Sequence, residues 1–155
     1  MKIEETFVVA APRKLVWRFI TDPNEIGPCI PGCQDIEVTG PNTYVAALQV
    51  KVGPIKTTFN LEVEVTEETP PTQVLSTTKG EEGSRASQVS SQNILRLAEI
   101  EGGGTEIYYS SDVTIAGRLG KYGHGVMKKI AQKLGNQFAE TFRERVEAAR
   151  EEGQA

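Results

Sequence analysis

Leu119-Gly120-Lys121-Tyr122-Gly123-His124-Gly125-Val126-Met127-Lys128-Lys129-Ile130 opens a stretch that continues through Phe138 and Phe142 to Arg150, and its reading decides the fold. Val126, Ile130, Leu134, Phe138, Phe142 and Val146 recur every fourth residue, with Met127 and Ala131 filling the same side. This spacing predicts one broad apolar face of an amphipathic helix, with Lys, Arg and Glu opposite it. At 1.5 Å per residue, about thirty helical residues reach roughly 45 Å. A compact domain of this length is only about 40 Å across. Such a helix crosses the whole molecule, so a broad apolar surface must cover one side of it.

The preceding chain supplies that surface. Ile3, Glu5, Phe7 and Val9 alternate with Lys2, Glu4, Thr6 and Val8, which reads as a strand ended by Ala10-Ala11-Pro12. Pro12 suits the first turn of a helix, and Leu15, Val16, Trp17, Phe19 and Ile20 make that helix short and strongly apolar. Trp17 is assigned to the core. Thr21-Asp22-Pro23-Asn24 stops it and starts a second short helical turn through Ile26. Gly27-Pro28-Cys29-Ile30-Pro31-Gly32-Cys33 reads as an irregular loop.

Turn signals then fall at Gly40-Pro41-Asn42, Gly53-Pro54, Thr69-Pro70-Pro71, Gly80 to Gly83 and Gly102-Gly103-Gly104. They delimit six strands near 34–39, 43–52, 55–68, 72–79, 86–100 and 105–116. Ile55, Thr57, Phe59, Leu61, Val63 and Val65 alternate with Lys56, Thr58, Asn60, Glu62, Glu64 and Thr66, so one face is wet and the other covered. Short turns between successive strands imply an antiparallel meander. The expectation is a single α+β domain over residues 1–155: a curved seven-stranded antiparallel sheet around the long C-terminal helix, with two short helices after the first strand.

A curled sheet bends away from a straight rod, and two details predict a cavity between them. Ser87-Gln88-Val89-Ser90-Ser91-Gln92-Asn93 puts polar groups inside in either register, Ser91 with Asn93 or Ser90 with Gln92. Buried polar groups need partners, which water or a ligand can supply. Gly120 and Gly123 fall where packing residues of the helix are expected, unless the helix starts near His124 and they belong to a loop.

Composition excludes several classes. Charged residues at 25% and apolar residues at 38% describe a folded globular chain. A formal charge of -4 argues against bulk binding of nucleic acid. No apolar run approaches the roughly eighteen residues of a membrane span. The chain alternates from Lys2 onward, so no signal peptide is expected and the cytoplasm is the default location.

Val16-Trp17, Cys29-Ile30-Pro31-Gly32-Cys33, Val52-Gly53-Pro54-Ile55-Lys56, Gly104-Thr105 with Tyr109, and Gly117-Arg118-Leu119-Gly120 resemble one family. It is the CoxG family of carbon monoxide dehydrogenase subunits, within the START/Bet v 1-like (SRPBCC) superfamily. The resemblance runs from Lys2 to about Val146 and implies a helix-grip fold with a deep apolar cavity. Members are associated with molybdenum-containing CO dehydrogenases or related hydroxylases and are held to help attach them to the membrane. The resemblance therefore implies a molybdenum hydroxylase as partner and a quinone or lipid as ligand, with no permanently bound cofactor. Longer members carry a C-terminal extension that can be membrane-associated. This sequence ends at Glu151-Glu152-Gly153-Gln154-Ala155, so transient peripheral contact at the inner face is expected rather than a fixed anchor.

Strand alternation and the helix face nominate Leu48, Val50, Phe59, Leu61, Tyr109, Ser111, Met127, Leu134 and Phe138 as ligand-binding residues. Asn93 joins them in one of the two registers. Tyr109, Ser111 or Asn93 would orient a polar head, and Ile30 and Pro31 would sit at the cavity mouth. Lys121, Lys128, Lys129 and Lys133, with Arg118 nearby, gather along the first half of the helix. This opposes the helix dipole and suggests docking to an acidic partner or anionic lipid, against a plain solvated face. Cys29 and Cys33 with a single histidine fall short of a zinc site. No nucleophile motif or phosphate loop is present. A cyclase or hydrolase of the same superfamily is the alternative, with Glu5, on the apolar register, or His124 as acid or base. An interaction module with a vestigial cavity is the other.

Overall fold

The computed structural model describes residues 1–83 and 86–153, except for the side chain of His124. The alternating segments form β1 (Lys2–Val9), β2 (Cys33–Val38), β3 (Thr43–Val52), β4 (Ile55–Thr69), β5 (Gln73–Glu82), β6 (Ser87–Glu99) and β7 (Thr105–Gly117). Helices α1 (Arg13–Ile20) and α2 (Pro23–Ile26) follow β1, and α3 (Gly123–Glu151) closes the chain. All seven strands join one antiparallel sheet in the order β1-β7-β6-β5-β4-β3-β2. β1 and β2 are thus the two edges, and α1 and α2 bridge them across one end. The protein has the helix-grip architecture, α+β, with the curved sheet around α3.

Four local readings change. Gly80 lies inside β5, which extends to Glu82, because a side chain at Gly80 would collide with the neighbouring strand at Asn60 and Leu61. The turn lies beyond it. Gly27–Cys29 is a short 3-10 turn rather than irregular loop. Gly120–Tyr122 is another, and Gly123 begins α3 at φ 82°, a left-handed value that suits glycine. The two glycines therefore shape the start of the helix and make no room along its inner side.

Val126 is the fourth correction: it is 45% exposed, not part of the inner face. A step of four residues turns a helix by about 400°, so an every-fourth row drifts by about 40° per step. Counted back from Phe142, the row has swung almost to the opposite side by Val126. The inner stripe runs instead through Met127, Ile130, Ala131, Leu134, Gly135, Phe138, Phe142 and Val146.

Buried apolar side chains form two separate clusters at opposite ends of α3. One gathers Val9, Leu15, Val16, Phe19, Leu97, Ile107, Phe142 and Val146, with Trp17 partly buried against it. Phe138 stacks on Phe142 with ring centres 5.6 Å apart. The other holds Val52, Phe59, Leu119 and Met127.

Candidate functional site

Between the clusters lies a cavity of about 510 Å³, within the usual size of a small-molecule site. Strand register explains its wall. Ile3 pairs with Ser111, Ser111 with Asn93, and Asn93 with Ser76, which forms one row across four strands. Glu5, Tyr109 and Leu95 form the next row. Val113, Ser91 and Thr78 form the row on the other side. Because side chains alternate, all these residues project to the inner face, and all line the cavity. The result is a polar belt at mid-sheet, bounded by Phe7 and Ile107 on one side and by Val89, Leu61 and Ile115 on the other. Facing it, α3 presents the small residues Ala131 and Gly135. The helix is narrowest where the belt lies.

The structure resolves the register of β6: Ser91 and Asn93 point inward, while Ser90 and Gln92 are turned away from the cavity. Asn93 is the hub of the belt. Its Oδ1 accepts from the hydroxyls of Ser91 (3.1 Å) and Ser111 (2.7 Å), and its Nδ2 donates to Ser76 Oγ (3.2 Å) and Thr78 Oγ1 (3.0 Å). All four hydrogen-bonding positions of the amide are thereby used. Asn93 therefore organises the wall. Ser76 and Thr78 accept in these bonds and keep their hydroxyl protons, which makes them the donors facing the cavity. Tyr109 bonds to Ser111, and burial pushes its phenol above the ordinary value. Tyr44 lines the far wall and its phenol is raised by burial as well.

Leu48, Val50, Phe59 and Leu61 from β3 and β4 line the cavity, as do Met127, Leu134 and Phe138 from α3. Tyr109, Ser111 and Asn93 complete the ten nominated positions on the wall. Ile30 and Pro31 line it too, together with Ile20, Thr21, Pro23 and Ile26 from the α1–α2 region. Ser76 and Thr78 escaped the sequence reading, and Tyr44, on the same alternating register as Leu48 and Val50, was not nominated. β5 is polar on both faces around Ser76-Thr77-Thr78-Lys79, so only its pairing with β6 reveals which residues face inward.

Glu5 lines the cavity from β1, with its carboxylate turned toward α3, where a side chain at Gly135 would collide with Oε2. It has no hydrogen-bond or ion-pair partner among the described residues, and burial raises its carboxyl above the ordinary value. It lies on β1, an edge strand of the sheet, and is bonded to no neighbour among the described residues. The side chain of His124 lies outside the described residues.

Lys121, Lys128, Lys129 and Lys133 are exposed. Arg118, by contrast, is engaged: its guanidinium donates to both oxygens of the buried Glu82, with Nε at 3.0 and 3.1 Å. It is not a free docking cation. Cys29 and Cys33 are unpaired, and their thiols lie 3.6 Å from the Glu25 carbonyl and 3.5 Å from the Asp35 carbonyl. Burial raises both thiols, which leaves them weakly nucleophilic. Among the described residues, no helix is long and apolar enough to cross a membrane, and no group of three or more His, Cys, Asp or Glu side chains is placed to hold a metal.

A conserved protein from Geobacillus kaustophilus shares this structure with a TM-score of 0.88 at 22% identity, covering 96% of this chain and 97% of that one. A START superfamily protein from Mycobacterium smegmatis superposes with a TM-score of 0.75 at 13% identity, over 95% of this chain and 97% of that one. The Zhui aromatase/cyclase from Streptomyces sp. R1128 does so with a TM-score of 0.69 at 17% identity, over 96% and 94%. At these identities the likeness is one of fold. No curated protein sequence matches the chain. The sequence profile of the CoxG family, described as a subunit of carbon monoxide dehydrogenase, matches residues 6–147, nearly the whole fold with most of the cavity wall and most of α3 but not Ile3 or Glu5, and the chain belongs to that family.

Proposed function

We propose that the protein binds one elongated, largely apolar molecule, a quinone or lipid, between the sheet and α3, as an accessory to a molybdenum CO dehydrogenase-type hydroxylase. The observation that carries the binding reading is the cavity of about 510 Å³, with apolar side chains at both ends and a polar belt between them. Burial of the ligand's apolar surface drives binding at roughly 25 cal/mol per Å². The hydroxyls of Ser76 and Thr78, with Tyr109, give an oxygen-bearing group a place to stop. Leu48, Val50, Phe59, Leu61, Met127, Leu134 and Phe138 hold the apolar remainder, and Ile30 and Pro31 move with α2 to admit it. The accessory role rests on family membership, and the protein would work in the cytoplasm or at the inner face of the membrane.

Native mass spectrometry after incubation with phospholipids and an alkylated benzoquinone tests the reading. One molecule bound per chain is expected, and Ala131→Trp, which fills the space facing the belt, should abolish it while leaving the circular dichroism spectrum intact. No bound species on the native protein would overturn it.

The exposed lysines of α3 provide the docking face for the partner enzyme in this reading. Capture of a molybdenum hydroxylase should weaken with salt and be lost on Lys128→Glu with Lys129→Glu. Capture that ignores both would reject that face.

A further inference from the structure

Glu5 is the ionisable group that the binding reading leaves without a task. It projects from β1 into a wall that is otherwise apolar or hydroxylic apart from the Asn93 amide and the exposed Glu68, and it lies beside Tyr109 in the same row. The hydroxyls of Ser91 and Ser111 are spent on Asn93, and Tyr109, the partner of Glu5 in the sheet, bonds to Ser111, so none of the three is committed to Glu5. The helix opposite has no side chain at Gly135, where any Cβ would strike the carboxylate. A partly buried carboxyl group in such surroundings loses some of its hydration and gains from any group that donates to it. Among the described residues nothing does. A ligand can.

We infer that Glu5 is the specificity-determining anchor of the cavity, and that the ligand it selects carries a hydroxyl group flanked by apolar parts. The inference rests on the binding reading and narrows its ligand class. Whether ionised or protonated, a carboxyl group keeps at least one oxygen free to accept, so a hydroxyl donor pairs with it in both states. A ligand bearing only carbonyl or ether oxygens pairs with the protonated acid alone. The cavity therefore prefers an alcohol, phenol or hydroquinone to its ketone, ether or quinone counterpart of the same shape. Position in the sheet sets where the hydroxyl must sit. The Glu5 row has Phe7 and Ile107 beyond it on one side and the belt, then Leu61 and Val89, on the other.

Three probes of one skeleton separate the outcomes: a decyl-substituted hydroquinone, its dimethyl ether and the matching benzoquinone, titrated anaerobically by calorimetry against the intact protein. The native chain should bind the hydroquinone about tenfold tighter than the ether, the scale of one hydrogen bond to a charged acceptor. Glu5→Met should reduce that ratio to near one. A ¹³C label at the Glu5 carboxyl of the native protein should shift with the hydroquinone and stay still with the ether, a readout that does not depend on any variant folding. Equal affinities for all three probes, with a carboxyl signal that stays still throughout, would overturn the inference and leave the binding reading standing. Binding of none of the probes, and of no lipid, overturns both.

Discussion

At the scale of single residues, the pair Glu82–Arg118 ties the fold where the cavity wall meets the start of α3. Glu82 is fully buried at the end of β5, and Arg118 follows directly on β7. The guanidinium of Arg118, helped by the hydroxyls of Ser87 and Thr57, holds the Glu82 carboxyl down at about 2 in spite of its burial. Ser87 also accepts from the backbone N–H of Leu119, 3.0 Å away, so the same knot fixes the turn into the helix. Arg118→Ala leaves a buried carboxylate without its counter-ion and should lower the urea unfolding midpoint at neutral pH. The sign with pH follows from the lowered value. An unfolded glutamate titrates near 4.5, so the stabilisation is complete above that and disappears as the pH falls through about 2. The native protein should lose more stability than Glu82→Gln on the way down through that window, and parallel losses would reject the pairing. Sequence could not reveal this knot: Glu82 stands in a run that reads as a turn, and Arg118 in a run that reads as a docking face. Long-range pairing of charges leaves no local periodicity.

At the scale of elements, α3 shows which part of a sequence pattern is physical. Its existence, polarity and role as the rod inside the sheet follow from apolar spacing, as do the strands and their turns. The face it presents follows the apolar spacing from Met127 and Ile130 to Val146, but an every-fourth row has wound off that seam at Val126, because the helix repeats at about 3.6 residues. Val126→Glu, at an exposed position, should change stability by no more than about 0.5 kcal/mol. Met127→Glu, one residue on and buried, should cost several-fold more. Equal effects on the thermal unfolding midpoint would contradict the observed rotation of the helix. The same limit governs the wall of the cavity. Leu48, Val50, Phe59 and Leu61 were legible because β3 and β4 alternate cleanly, whereas Ser76 and Thr78 were not, because β5 offers polar residues to both faces. Gly135 was missed for a related reason: on a helix, a gap is informative only once the residue opposite it is known.

For the whole molecule, sheet curvature and a straight rod leave the middle of the core unfilled, and the ends carry the packing. A ligand seated there bridges the two separate clusters. Saturating the cavity at about a hundred times its dissociation constant should add about 2.7 kcal/mol of stability, seen as a higher midpoint in calorimetry. The clusters are unequal, and this has a consequence for motion. Among the described residues, a cluster of eleven buried side chains includes the C-terminal half of α3, and a cluster of four includes the other end. Amide protons from about Ala139 to Ala149 should then exchange with deuterium only when the whole protein unfolds. Those from Val126 to Leu134 should exchange by a local fluctuation of lower free energy. The helix would come away from one end first, like a door on a single hinge, and a bound guest would slow that opening.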